Sequence, residues 1–326
     1  MLGERREKGK KEGKVVMMPR RAFISLVLKV SGNVNADAGI GTRIPIKKII
    51  TWDQKIKPFV SARCIRRCLR ERLYEKGFEI DPLQMIGPQG REQLGDIGNP
   101  VRYIDDDLFG FLVPREPPVK RSSPVKISHL ISLTHTEIKV EFAGRFPRDF
   151  LRQFAPGHPV PFEIEVAEWL GKLNVIITDR IGVFRDDELT EEAKKLLASQ
   201  RSTLTIDERR SRLRALLEVL LWEGWTFPRA AQGPSVPEYY YGVLALTDRF
   251  IPLPGYVSIT EDGQLDEKLI NNLYNLYKPL LHKLYVLDYR ASVYKKLMQE
   301  QETLNTLNAN SIEEIINEVC NYIIAQ

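Results

Sequence analysis

Apolar positions first gather at Ala22–Val30, where aliphatic and aromatic residues are interrupted only by Ser25 and Lys29, the composition of a core strand. A glycine- and asparagine-rich loop, Ser31–Gly41, follows. Arg43–Ile50 then reads as a short strand with interleaved basic and apolar residues. Ile65, Cys68, Leu69 and Leu73 recur at helical spacing, which predicts a helix over 59–76, entered after Pro58 and stopped at Gly77. Residues 77–100, rich in Gly, Pro and Gln, predict an irregular insertion. Asp107–Val113 reads as a strand ahead of a proline-rich stretch at 114–124; Val125–Leu133, Glu137–Phe142, Phe162–Val166 and Leu173–Ile177 also read as extended. Helical patterning follows at Glu191–Gln200 and Ile206–Leu221, the second with Arg209, Arg210, Arg212 and Arg214 on its exposed side. Tyr239–Leu246 reads as a strand, and Asp266–Leu287 and Ser311–Ile324 as amphipathic helices. There is no internal repeat of 20–50 residues. The pattern is that of an α+β chain, with antiparallel sheet mostly in the first half and helices mostly in the second.

Length and composition add bounds. With 326 residues, 43% hydrophobic and 28% charged, the chain has the balance of a globular protein with one large core or two smaller ones. No apolar run approaches the roughly 20 residues that span a bilayer, and the charged opening residues carry no secretory pattern. Cys64, Cys68 and Cys320 cannot make a disulfide framework and suit a reducing cytoplasm.

Charge is unevenly placed. Residues 1–21 hold eight Lys/Arg and three Asp/Glu, and the remainder holds 40 of each sign. Residues 1–19 therefore read as a disordered basic arm or an over-long leader. Residues 43–72 hold ten basic residues against Asp53 and Glu71 alone. Such an excess marks a polyanion footprint; the plain alternative is a solvated face.

Catalytic signatures are missing: there is no phosphate-binding Walker loop, dinucleotide fingerprint, HExxH or nucleophile elbow. His129, His135, His158 and His282 are scattered and read as packed or surface residues. Asp105–Asp107 could attract a divalent cation, but an acidic turn before a strand is the simpler reading. Cys64 and Cys68 lack zinc-ligand spacing and read as small core residues. What remains is the arginine series Arg63, Arg66, Arg67 and Arg70 on one helical stripe, suited to phosphate contacts that position a strand without reading it.

Four segments together resemble the Cas-seven backbone subunits of type I CRISPR effector (Cascade) complexes, in particular the DevR autoregulator subgroup. They are the opening strand with its loop through Arg43-Ile-Pro-Ile-Lys-Lys; Val60-Ser-Ala-Arg-Cys-Ile-Arg-Arg-Cys-Leu-Arg70; Asp106-Asp-Leu-Phe-Gly-Phe-Leu with Lys120-Arg-Ser-Ser-Pro-Val-Lys; and Ile177-Thr-Asp-Arg-Ile-Gly-Val-Phe184. The likeness is specific over about 22–185 and diffuse beyond.

The resemblance implies a single hand-shaped domain over 20–326. Its palm is a modified RNA-recognition-motif (ferredoxin-like) sheet, its helical fingers lie in the insertion near 77–104, and a β-hairpin thumb or channel segment lies near 114–135. It implies a non-catalytic cytoplasmic subunit with no cofactor or metal. Copies of the chain line up in a helical filament along the CRISPR RNA, beside other effector subunits, and present the spacer to target DNA. Guide contacts are implied at Ser61, Arg63, Arg66 and Arg67; at Asn33, Asn35, Arg43 and Lys47; and at Lys120, Arg121, Ser122 and Ser123. The opening strand lacks the aromatic octapeptide of ordinary RNA-recognition motifs, so stacking of bases on the sheet is not expected. Two alternatives stand beside this: a type III-like subunit that cuts target RNA through Asp37, and an autoregulator of duplex DNA, for which no helix-turn-helix is visible.

Overall fold

The computed structural model describes residues 18–39, 41–87, 91–145, 160–197, 202–228, 235–290, 305–308 and 312–325. The basic arm expected at 1–19 lies almost wholly outside the described residues.

The chain runs through strands β1 (Arg21–Gly32), β2 (Arg43–Ile44), β3 (Lys48–Ile50) and β4 (Ile56–Val60), then helix α1 (Ala62–Glu75). A small hairpin, β5 (Gln84–Ile86) and β6 (Gln93–Gly95), leads to α2 (Ile104–Phe109) and a second one, β7 (Phe111–Val113) and β8 (Val119–Arg121). Next come β9 (Val125–Ile127), β10 (Leu130–Ser132), β11 (Lys139–Arg145) and β12 (Val160–Thr178). Helices α3 (Glu191–Leu196) and α4 (Ile206–Glu218) precede β13 (Glu238–Thr247), α5 (Leu253–Tyr256) and α6 (Glu267–Tyr277). β14 (Lys283–Asp288), β15 (Asn305–Asn308) and α7 (Ile312–Ile323) complete the order.

One sheet organises these elements, in the order β15-β14-β13-β1-β12-β10-β4-β3, with β2, β9 and β11 also paired to β12. Its pairings are antiparallel except β14 with β15 and β12 with β2. β1 lies between β12 and β13 and is buried on both faces, which explains its near-continuous apolar run. Ala22, Ile24, Leu26, Leu28 and Val30 join a core built with α1, α4 and α7, whereas Phe23 and Val27 join a second core with α5 and α6.

α1 forms where its spacing predicts. Ser61 caps it, with its hydroxyl accepting from Cys64 N (3.2 Å), and Cys64, Ile65, Cys68, Leu69 and Leu73 make the buried stripe. Gly77, at φ 89°, turns the chain out, and Gly77 N and Phe78 N donate to Tyr74 O and Leu73 O. Both helical cysteines are core residues.

Four expectations need correction. Asp107–Phe109 is not strand: it belongs to α2, which ends at Gly110, where φ is 73° and an added Cβ would lie 2.3 Å from Arg121 O. Phe162–Val166 and Leu173–Ile177 are parts of one 19-residue strand, β12. Asp266–Leu287 splits into α6 and β14, because Lys283–Leu287 pairs with β13 instead of extending the helix. The arginines of α4 are not all exposed: Arg212 is buried.

The segment expected as a thumb or channel near 114–135 supplies β8, β9 and β10, with Val119, Val125 and Leu130 buried. The ribbon that continues past the central sheet is β11 with the first part of β12, registered from Lys139↔Val166 to Arg145↔Val160. The insertion near 77–104 is held by Asp81, whose carboxylate accepts from Leu83 N (2.7 Å), Ile97 N (2.7 Å) and Gly98 N (3.3 Å).

Candidate nucleic-acid interface

The β4–α1 junction gathers the largest group of predicted contact residues. Asn35, at φ 52°, accepts from Ser61 N through its side-chain oxygen (2.9 Å), fixing the β1–β2 loop against the start of α1. His129 accepts from Ala62 N at 2.8 Å through Nδ1 and stacks beside Phe59 at a centroid distance of 5.2 Å. The junction is therefore tied from two sides. Lys47 stands close enough to α1 for its charge to help lower the Cys64 thiol pKa, after the larger effect of the Cys68 hydrogen bond.

Along α1 the arginines divide by task. Arg70 is committed to Asp105 (2.7 Å), and Arg72 to Glu75 and Glu223. Among the described residues exposed Arg67 meets Glu71 alone, one turn on (2.9 Å), a pairing worth a few tenths of a kcal/mol at most. Arg63 is exposed and Arg66 half-buried, and neither has a carboxylate partner among the described residues. Burial, followed by the charges of Arg70 and Arg63, pushes the Arg66 pKa down, and its buried Nε has no hydrogen-bond acceptor. An anion along this face would counter the like charges of Arg63 and Arg70.

Arg43 lies on the flank, paired with Glu165 (3.0 Å) beside Lys48 (2.8 Å). Burial raises the Glu165 pKa, but hydrogen bonds from Lys48 and Ile46 N, with the charges of Lys48 and Arg43, hold it below the usual value.

Three further predicted contacts, Asn33, Ser123 and Arg121, also have their side chains engaged within the protein. Asn33 is buried and donates to Glu165 O (2.6 Å) and Ile44 O (3.3 Å), so it shapes the groove from beneath. Ser123 donates to Leu108 O (3.0 Å) and Val125 O. Arg121 is the plainest correction: its side chain is 0% exposed and cannot reach a ligand in this structure. Arg121 instead donates to Asp107 Oδ1 (2.7 Å), Glu188 Oε2 (3.1 Å), Val183 O (2.9 Å) and Arg180 O (2.8 Å), and lies over the Phe184 ring at 4.8 Å. Its neighbours Lys120 and Ser122 are exposed, on and just after β8.

The run Asp105–Asp107 is divided among three tasks. Asp105 holds Arg70 and Asp81 N; Asp106 accepts from Asn99 N (2.7 Å); Asp107 receives Arg121, Arg212 and Gly182 N. Asp81, Asp96 and Asp106, rather than the consecutive run, bring carboxylate oxygens within 4.8 Å of one another. Burial and the neighbouring Asp81 and Asp105 charges push Asp106 up to about 8. Asp37 is exposed, and its carboxylate accepts from the next amide, Ala38 N (3.0 Å).

Two lysines on the opposite face of the sheet were not singled out as site residues, although Lys57 is among the ten basic residues of 43–72. Lys57 and Lys172 line a cavity of about 260 Å³ with His129 and Asn174. The available signal was weak: each is a lone cation within a strand of otherwise apolar or small neighbours.

The family described as CRISPR-associated negative auto-regulator DevR/Csa2 matches residues 99–262, half of the chain. No curated protein matches. Among solved structures, a chain of a "CRISPR RNA-guided surveillance complex, pre-nicking" superposes with a TM-score of 0.57 at 11% identity, over 91% of this chain and 99% of that one. A chain of a "CRISPR RNA-guided surveillance complex" gives 0.52 at 13% identity, over 92% and 99%. At such identity these likenesses establish a shared fold.

Proposed function

The chain belongs to the CRISPR-associated negative auto-regulator DevR/Csa2 family, and from that membership we propose that it is a non-catalytic backbone subunit of a type I RNA-guided surveillance complex. In this reading it holds the phosphate backbone of the CRISPR RNA, repeats along it in a filament with other effector subunits, and presents the spacer to target DNA. Pairing supplies the sequence, and the protein supplies the shape. The carrying observation is the pair Arg63 and Arg66, two cations on one face of α1 with no carboxylate partner among the described residues, beside the Asn35–Ser61 junction.

In the hand description, the sheet around β1 and β12 is the palm, the insertion near 77–104 supplies the fingers, and the β11–β12 ribbon is the thumb. Ser61, Arg63, Arg66, Arg67, Asn35, Arg43 and Lys47 form one stretch of the guide channel; Lys120 and Ser122 form another. Asn33, Arg121 and Ser123 support it from within. No helix among the described residues is long and apolar enough to cross a membrane. The proposed place of action is beside RNA in the cytoplasm.

The test is binding of a CRISPR RNA by fluorescence anisotropy, with size-exclusion chromatography of the complex. A large, ribonuclease-sensitive assembly whose affinity drops on joint Arg63→Gln and Arg66→Gln substitution is expected. A monomer that ignores the RNA, or that prefers duplex DNA, overturns the reading. Its non-catalytic part is checked separately: complementary RNA incubated with the complex and a divalent cation stays intact, with Asp37 present or replaced by Ala.

A further inference from the structure

The sheet has a second face. α1, α4 and α7 cover one side, and α5 and α6 cover β1, β13 and β14 on the other. Over β4, β10 and β12 that second side opens into the cavity of about 260 Å³. It is smaller than the roughly 300–1,000 Å³ of pockets that enclose a whole organic ligand, so its size suits a single anionic group.

Its lining is rich in donors. Among the described residues Lys57 Nζ reaches Leu133 O alone (2.9 Å), and Lys172 Nζ reaches Gly255 O (2.7 Å) and Val257 O (2.8 Å). Neither ammonium meets a carboxylate among the described residues, which leaves N–H bonds of both for a further acceptor. The side-chain oxygen of Asn174 is taken by Ser25 (2.8 Å), leaving the NH₂ as its free side. His129 accepts through Nδ1, so the neutral ring carries its proton on Nε2. Ser128 accepts from Asn174 N (2.9 Å) and completes the rim. Burial, and then the charge of Lys57, push the Lys172 pKa down. A lysine needed only to fasten the α5 turn gains nothing from a second cation beside it.

We propose that the cavity between Lys57 and Lys172, rimmed by His129, Asn174 and Ser128, is a seat for a phosphate group. The ligand chemistry is a phosphate monoester, a diester or the free ion. Two sources can supply it, the backbone of a bound RNA or a small phosphate from solution, and the first rests on the function proposed above. Through His129, which also holds Ala62 N, the seat is tied to the start of α1.

The experiment pairs two titrations on the full chain and on its Lys57→Gln and Lys172→Gln variants. Inorganic phosphate is followed by ³¹P line broadening, and a CRISPR RNA by anisotropy across a salt series. Loss of phosphate broadening in both variants, with a salt slope lowered by about 0.7 for each lysine removed, places an RNA phosphate in the seat. Broadening by the parent that is lost in both variants, with an unchanged RNA slope, assigns the seat to a small phosphate; a parent chain that neither broadens phosphate nor changes its RNA slope on losing the lysines overturns the proposal. If the chain ignores RNA altogether, the phosphate titration alone still decides the proposal. Broadening and RNA slope both unchanged in a folded Lys57→Gln variant overturn it; that half-buried position tolerates the change if Lys172→Gln does not fold.

Discussion

Asp107 and Arg212 stand 105 positions apart in sequence and meet at 2.8 Å in the protein interior. The same carboxylate binds Arg121 (2.7 Å) and the amide of Gly182 (3.0 Å), so one side chain joins α2, β8, the turn after β12 and α4. Arg212 also donates to Pro100 O (2.7 Å) and Val101 O (2.6 Å), which leaves the cluster well satisfied.

Removing the shared anion leaves two buried guanidinium groups short of a counter-charge. Asp107→Asn should therefore lower stability by about 3–5 kcal/mol, the range for breaking a buried pair from one side. Denaturant unfolding at neutral pH measures it, with Arg63→Gln expected within about 0.5 kcal/mol of the parent as a surface control.

Lys120 and Arg121 are adjacent but should separate cleanly. Arg121→Gln destabilises the fold, because it removes a buried counter-charge from Asp107 and Glu188, leaving them with Arg212 and Arg180. Lys120→Gln leaves thermal stability unchanged and weakens RNA binding. Parallel melting and anisotropy measurements distinguish these outcomes; a reversed pattern refutes the assignment.

Joint Arg63→Gln and Arg66→Gln substitution should reduce the dependence of log affinity on log salt by about 0.7 for each single-strand phosphate that is no longer neutralised. The melting temperature should not fall, since Arg66 gives up a buried Nε that has no partner. An RNA salt slope equal to the parent's excludes both residues from the RNA interface.

Asp106 has a pH signature of the less common sign. Its folded pKa is raised to about 8, against roughly 3.9 when unfolded, so between these values the native state holds the extra proton. Its contribution to stability is full below about pH 4, declines as pH rises towards 8, and is lost above it. Asp106→Asn should remove that decline, so the variant gains on the parent between pH 5 and pH 9 in urea unfolding. A constant difference across the range would show that Asp106 does not titrate there.

Local pattern made much of the scaffold legible. β1 and β13 carry their strand composition, and α1 its period and cap, in plain view, as α7 does its period, and the ordered motifs along 22–185 pointed to the family. α2 was hidden because its six residues enclose an aspartate run, and burial of those carboxylates is arranged by arginines far along the chain. β12 reads in sequence as two strands separated at 167–172, a gap that holds Gly171, a residue that weakens a strand. Yet an added Cβ there would lie 2.2 Å from the Trp169 ring, so close packing requires the glycine. Arg212 had a usable signal: Arg209, Arg212, Leu213 and Leu216 fall on one helical stripe, which assigns the first two inward with the leucines. Arg121 gave no such sign, since a buried arginine in a short strand has the same sequence appearance as a free one.

β12 also has a mechanical consequence. Its 19 residues, at about 3.3 Å each, extend roughly 60 Å without a break. One end is laced to β1 at the centre of the sheet, and the other forms the ribbon with β11. The ribbon is thus a cantilever clamped at its root, with the strand running unbroken from it into the central sheet. A load on its described outer part would be transmitted along the backbone to β1, and reorienting it would require twisting the strand or unzipping a register of hydrogen bonds.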